Sequence, residues 1–196
     1  MNDVIQVIDA PEAAIAALKP MRAQLLAALE TPRSAAELAG ELGLPRQKVR
    51  YHLQALLEQG LVREAAQRKW GGITERQMVA TAGSYLVSPA VLGPVAPDPA
   101  RTEDRLSASY LLALAGRVVR EVGALSARAE ASDKRLATLS IDTTVRFASP
   151  GARAAFAGEL VDALLGLVAK YHTPDAPEGR DHRVVLGAHP LAEEAP

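Results

Sequence analysis

The ten residues from Leu44 to Leu53, LPRQKVRYHL, hold the chain's densest set of side chains suited to gripping a charged partner. Arg46, Lys48 and Arg50 are cations, Gln47 offers a donor beside an acceptor, and Tyr51 adds an aromatic ring with a hydroxyl. A guanidinium can take two acceptors on guanine at once and a carboxamide can pair with adenine, whereas an ammonium suits phosphate equally well. This is recognition chemistry. Bond-making chemistry finds no comparable set: there is no cysteine, so disulfides, thiolate zinc sites and a cysteine nucleophile are excluded. No glycine-rich phosphate loop, no nucleophile with a partnered base and no carboxylate pair at fixed spacing is present, so the expectation is a non-enzyme with no catalytic residue and no cofactor.

Those side chains need a helix that holds them outward. Over residues 45 to 59, Val49, Leu53, Leu56 and Leu57 fall on one stripe, which leaves Arg46, Gln47, Arg50, Tyr51 and Gln54 on or near the opposite side. Pro45 is preset for a first turn and Gly60 stands where the helix should stop. Upstream, Ser34 and Glu37 have the spacing of a capping box and should open a shorter helix. Ala39, Gly43 and Val49 follow at steps of four and six, which gives a small residue for close approach, a glycine for the turn and a branched apolar residue to lock the second helix on the first. A charged helix face by itself is usually just solvated; the capped partner helix and this spacing favour display. His52, between the two faces, reads as a buried or phosphate-contacting histidine rather than a metal ligand or catalyst.

LVREAAQRKW and ITERQMVATA flank Gly71-Gly72, a dipeptide suited to a two-residue hairpin turn. That turn would pair Trp70 with Ile73, Lys69 with Thr74 and Arg68 with Glu75, and would cluster Arg68, Lys69 and Arg76 near the tip, where they could ride on phosphates or reach a minor groove. Between residues 44 and 76 there are seven cations and three acids, a local surplus of +4 inside a chain of net charge −1. The near-neutral whole conceals a basic footprint.

The order helix, SAAELAGELGLPRQKVRYHLQALLEQGLV, basic hairpin, over about residues 10 to 85, resembles winged helix-turn-helix transcriptional regulators of the ArsR type. The resemblance implies a homodimer that places two recognition helices in successive major grooves of double-stranded DNA, usually to repress. Carried over by position, Arg46, Gln47, Lys48, Arg50 and Tyr51 would meet the groove, and Arg68, Lys69 and Arg76 would form the wing contacts. The chain departs from the family's metal sensors in lacking their cysteines, so thiolate metal sensing is excluded.

The fold class expected is α+β and mainly helical: an N-terminal winged helix-turn-helix, then a long amphipathic helix and a strand-helix-strand unit. In DAPEAAIAALKPMRAQLLAALE, Pro20 forces a break before Leu25, Leu26 and Leu29. The four prolines of SPAVLGPVAPDPAR suggest a linker at 89–103 between a DNA-binding domain (1–88) and a domain for dimerisation and ligand sensing (104–196). In the latter, Leu111, Leu114, Val118, Val122 and Leu125 form a helix seam for a core or a dimer interface. Residues 139–147 alternate like a strand, Ser149-Pro150 opens a helix, and HRVVLGAH suggests a second strand, its sheet shared with the N-terminal VIQVI, a partner subunit or both. Phe147, Phe156, Leu160, Leu164 and Tyr171 could line a pocket for a small apolar ligand, although they suit a plain core better. His172, Asp175, His182 and His189 could be drawn as a metal site, but the intervening Pro/Gly loop fixes no ligand geometry, so no metal is expected. No segment has membrane-spanning length without charge or proline, and a cytoplasmic protein is expected. Two other classes compete with a homodimeric DNA-binding repressor: a winged-helix module that docks on an acidic protein surface and binds no DNA, and a small-molecule binder carrying the winged helix as a passenger.

Overall fold

The computed structural model describes residues 4–70 and 73–191, with the backbone alone at 68–70, 73 and 74. It divides into two compact units, Met1–Leu136 and Ala137–Pro196. The first is a winged helix: β1 (Ile5–Ile8), α1 (Pro11–Leu18), α2 (Pro20–Ala28), β2 (Arg33–Ser34), α3 (Ala35–Leu42), α4 (Arg46–Glu58), β3 (Val62–Trp70) and β4 (Ile73–Ala80). β5 (Ser84–Val87) and a long helix α5 (Ala108–Ala131) follow, and the second unit contains α6 (Pro150–Tyr171).

Local chemistry sets the helix ends. Pro20 stops α1 and starts α2, each helix having proline in its first turn. At the start of α3 the Ser34 hydroxyl accepts from the Glu37 amide at 3.2 Å while the Ser34 amide donates to the Glu37 carboxylate at 2.7 Å, the expected reciprocal box. Gly43 ends α3 with φ 63°, and Gly60 lies beyond α4 with φ 66°, both in the left-handed region that glycine enters without steric cost. Pro45 differs from expectation by one position: with ψ near 130° it is the N-cap, and the helix begins at Arg46. Its own backbone is therefore extended rather than helical.

One cluster unites these elements. Leu25, Leu29, Leu38, Val49, Leu56 and Leu61 are all fully buried in it, with Leu53, Val62 and Met78 beside them. The hairpin β3–β4 has the expected register, Trp70 opposite Ile73, Lys69 opposite Thr74 and Arg68 opposite Glu75, with an irregularity between Glu64 and Ala66. The Gly71-Gly72 turn itself falls outside the described residues. β2 adds to the free edge of β4 and completes a three-stranded antiparallel sheet in the order β2-β4-β3.

Two expectations are corrected beyond the wing. VIQVI does not join a C-terminal sheet; instead β1 pairs in parallel with β5, Ile5 opposite Ser84 through Ile8 opposite Val87. The pairing is pinned to the end of α4. The Tyr85 hydroxyl donates to the Leu61 carbonyl at 2.7 Å, the Thr81 amide donates to the same carbonyl at 3.1 Å, and the Thr81 hydroxyl lies 2.6 Å from the Gln6 side-chain oxygen. The second correction concerns the strand-helix-strand unit. Its helix is present as α6, but 139–147 and 182–189 belong to no strand. Their alternation meets the side-chain requirement of a strand, yet among the described residues neither has a neighbouring ladder, and a strand exists only by pairing.

The proline-rich stretch, expected as a linker, is folded within the first unit. Pro89–Val95 and Pro99–Arg101 are 3-10 turns, opened by Ser88 and Asp98 side chains that accept amides two residues on, and Ser88 and Pro99 are buried. α5 follows and packs on β1 and on these turns. Its contact face carries small residues: Ala113 is buried, Gly116 abuts Pro89, and a Cβ placed on Gly123 would meet the Val7 side chain at 2.5 Å. The seam from Leu111 to Leu125 lies on roughly the opposite side of the helix and stays half-buried to exposed, Leu125 being 46% accessible.

Two stability outcomes follow. Ser34→Ala removes the hydroxyl half of the capping box and should cost about 1 kcal/mol in urea unfolding. Gly123→Ala should destabilise by roughly 1–3 kcal/mol through overpacking against Val7, and adding Val7→Ala should recover much of that loss, a coupling that a double-mutant cycle on urea midpoints measures directly.

Candidate nucleic-acid interface

The inward stripe of α4, Val49, Leu53 and Leu56, is buried as the spacing requires. That rotation leaves Arg46, Gln47, Lys48, Arg50, Tyr51 and Gln54 exposed, so every groove residue expected on this helix is displayed. Tyr51 keeps 65% of its surface accessible. Its ring meets the His52 ring edge-on at 5.2 Å between centroids. Gln54 is turned along the helix by a bond from its amide to Glu58 at 3.1 Å, a one-turn contact on the same face.

The helix and the wing are joined by charge. Arg46 Nη2 lies 3.7 Å from Glu75 Oε1 on β4, and Arg76 Nε lies 3.7 Å from Glu64 Oε2 across the hairpin. Both are loose, solvent-exposed pairs of the kind that contribute little stability, so either guanidinium can exchange its carboxylate for a phosphate or a base edge. Arg68 and Lys69 stand on β3 at the tip-proximal register positions expected, and their side chains lie outside the described residues. Arg46 of the helix and Glu75 of the wing thus link the two elements within a single unit.

A further cation escapes a reading by spacing alone. Arg22 belongs to the core stripe of α2, Arg22, Leu25, Leu26 and Leu29, and is only 7% accessible. The three-and-four-residue step from Leu25 and Leu29 back to Arg22 is the available signal, but a cation at a core position reads by default as a break in the stripe. Its Nε is buried with no hydrogen-bond partner, as is Nδ1 of His52 on the facing helix. Burial, followed by the positive fields of Arg22, Lys48 and Lys19, holds the His52 imidazole below its usual 6.5.

The C-terminal candidates are less gathered. Phe147 and Phe156 are in ring contact at 5.3 Å, and Phe147 also lines an open groove with Ala148, Ser149, Pro150 and Arg153. Leu160, Leu164 and Tyr171 continue along α6 without closing over that groove, and Tyr171 is 68% accessible. His182 and His189 each turn Nδ1 to a nearby backbone carbonyl, of Arg180 and Pro190 respectively, at 2.9 Å. No group of three or more metal-ligating side chains occurs among the described residues, and no helix there is long and apolar enough to cross a membrane.

The depressed His52 pKa has a signed consequence. The unfolded chain, free of burial and of the neighbouring cations, takes up its proton first as pH falls. Stability should therefore decline as pH drops from about 6.5 towards the lower folded midpoint of His52, and this group should contribute no pH dependence above that window. Urea midpoints at several pH values on either side of 6.5 should show the decline in the wild type and a flatter profile in His52→Gln.

Comparison with known proteins points to the same segment. Residues 18–65 match a family described as a helix-turn-helix domain, a span running from Lys19 and Arg22 through the whole of α3 and α4 into β3. Among solved structures, the chain is similar to the transcriptional regulator HlyU from Vibrio vulnificus CMCP6, at 25% identity over 37% of this chain and 71% of that one, with a TM-score of 0.30. Among curated proteins there is no match. What the chain contains, by sequence and by fold, is a helix-turn-helix domain with a wing.

Proposed function

We propose that this protein is a sequence-specific, DNA-binding transcriptional regulator, resembling the ArsR type, that acts as a cytoplasmic homodimer and more as a repressor than an activator. One observation carries the proposal: α4 is docked by Val49, Leu53 and Leu56 so that Arg46, Gln47, Lys48, Arg50 and Tyr51 face outward beside a wing to which Arg46 is tied through Glu75. A helix so presented fits a major groove, with the hairpin on the adjoining backbone. The half-exposed seam of α5 and the exposed apolar side of α6 offer surface for a second copy. A palindromic site would match the two-fold symmetry of such a dimer. The Phe147–Phe156 contact is where control by an apolar effector would be sought.

The test is fluorescence anisotropy with DNA from the protein's own upstream region and with unrelated duplex, each at two salt concentrations. Preferential binding that weakens with salt yet keeps its preference is the expected result. No binding to either duplex at low salt would reject DNA recognition and favour docking on an acidic protein surface. Within this reading, Gln47→Ala and Arg50→Ala should each lose about 1–3 kcal/mol of discrimination at one base pair. Lys69→Gln and Arg76→Gln should weaken all duplexes alike and make the salt dependence shallower by about 0.9 for each phosphate left unneutralised. Undiminished sequence preference in both Gln47→Ala and Arg50→Ala would remove α4 from base recognition.

A further inference from the structure

We infer that Lys19, Arg22, Lys48 and His52 form a phosphate-binding cleft between the start of α2 and the recognition helix α4, flanking the outward face of that helix, with which it shares Lys48, and separate from the wing. The inference rests on the DNA-binding function proposed above and assigns its occupant, the phosphodiester backbone of the same duplex.

Arg22 is the central observation. A guanidinium on a residue only 7% accessible normally has a carboxylate or carbonyl opposite it, because taking an unpaired charge out of water costs several kcal/mol. Here Nε has no hydrogen-bond partner, and among the described residues no carboxylate is paired with this side chain. The residue lies in the first turn of a nine-residue helix, where the positive end of the helix dipole adds to its charge. Lys48 and His52 stand one turn apart on α4, which packs against α2, and Lys19 is the N-cap of α2. His52 Nδ1 is likewise buried without a partner.

The charged groups that act on His52 are all cations: Arg22 from α2, Lys48 from its own helix and Lys19 from the junction before α2. Three positive side chains, on two helices packed against each other, therefore act on one imidazole. That arrangement repels itself in the free protein and is relieved by an anion. Lys48 is exposed and adjoins Gln47, a groove residue, so a duplex seated against the outward face of α4 carries a backbone phosphate past this cleft. Functionally the cleft fixes how deep and at what angle α4 sits, while the choice of base pairs stays with Gln47 and Arg50.

The experiment measures affinity of the full-length protein for unrelated and preferred duplex over a salt series, with Arg22→Gln, His52→Gln and Lys19→Gln, and with Arg153→Gln as a charge-matched control in the other unit. Far-UV circular dichroism and a urea midpoint verify folding, and the exposed Lys19 keeps the test open should Arg22→Gln fail to fold. Expected are a several-fold loss of affinity for both duplexes in every cleft variant, a salt slope shallower by about 0.9 in Arg22→Gln and Lys19→Gln but unchanged in His52→Gln, whose ring carries no charge to lose, and an unchanged ratio between duplexes; Arg153→Gln should bind as the wild type does. A folded His52→Gln protein with wild-type affinity together with a folded Lys19→Gln protein with wild-type affinity and slope would overturn the cleft. A parallel titration of inorganic phosphate against chloride at matched ionic strength, read on the His52 ring resonances, separates the sources. Phosphate-specific saturation together with duplex affinity that is indifferent to the cleft variants would overturn the DNA assignment in favour of a small-anion site. A wild type that binds no duplex would remove the function proposed above; in that case ring resonances unmoved by phosphate would remove the cleft as well, and movement that is abolished in Arg22→Gln would retain it as an anion site.

Discussion

The packing of α4 against the cluster of Leu25, Leu29 and Leu38 is the constraint from which the rest of the molecule follows. Val49, Leu53 and Leu56 are each 5% accessible or less. Full burial of such side chains is worth roughly 1.5–3 kcal/mol apiece. A helix of thirteen residues would not hold its rotation by propensity alone, since isolated helices of that length are marginal in water. Three buried anchors on one stripe hold it, and with them the azimuth of every residue on the other side. The outward face is thus specified by buried residues that lie on the other side of the helix, and errors in the core would displace the side chains proposed to read DNA.

The same core admits a charge at its edge. α2 places Arg22, in its first turn, where a leucine would continue the stripe. Burial and then nearby charge of one sign explain why His52 resists protonation. Stability and the proposed phosphate contact share the side chains around His52, so a substitution here bears on both.

What could be read from the sequence followed the range of the interactions responsible. The capping box, the turn glycines, the break at Pro20, the inward stripe of α4 and the hairpin register are set by neighbours within about a dozen residues, and they stand where spacing places them. Pairing across the chain was not legible. VIQVI has the composition of a strand, but nothing in those residues names SYLV, about eighty positions later, as its partner. The alternation at 139–147 misled for the complementary reason, that side-chain pattern says which face would be buried without supplying the neighbour that makes a strand. On α5 the leucine and valine seam has the apolar pattern, while the contact with Val7 of β1 is made at Gly123, whose importance lies in closeness of approach rather than in apolar area. The cationic groove residues were visible because their types and spacing are chemical; Arg22 was not, because its significance depends on what surrounds it.

The parallel pairing of β1 with β5 also orders events during synthesis. Within this unit β1 is made before its partner, and the strand it needs comes about eighty residues later, an interval of roughly 4–16 s at ordinary translation rates. During that interval α2, α3, α4 and the hairpin, whose contacts are more local, have time to assemble, and the N-terminal strand waits with an unpaired edge. Only when β5 appears can the segment close over the end of α4 through Tyr85 and Thr81, and only then does α5 find the Val7 surface on which Gly123 lies. The N-terminal strand is thus the first part of this unit to be made and among the last to be placed, which makes its exposed edge the feature most in need of protection in the nascent chain.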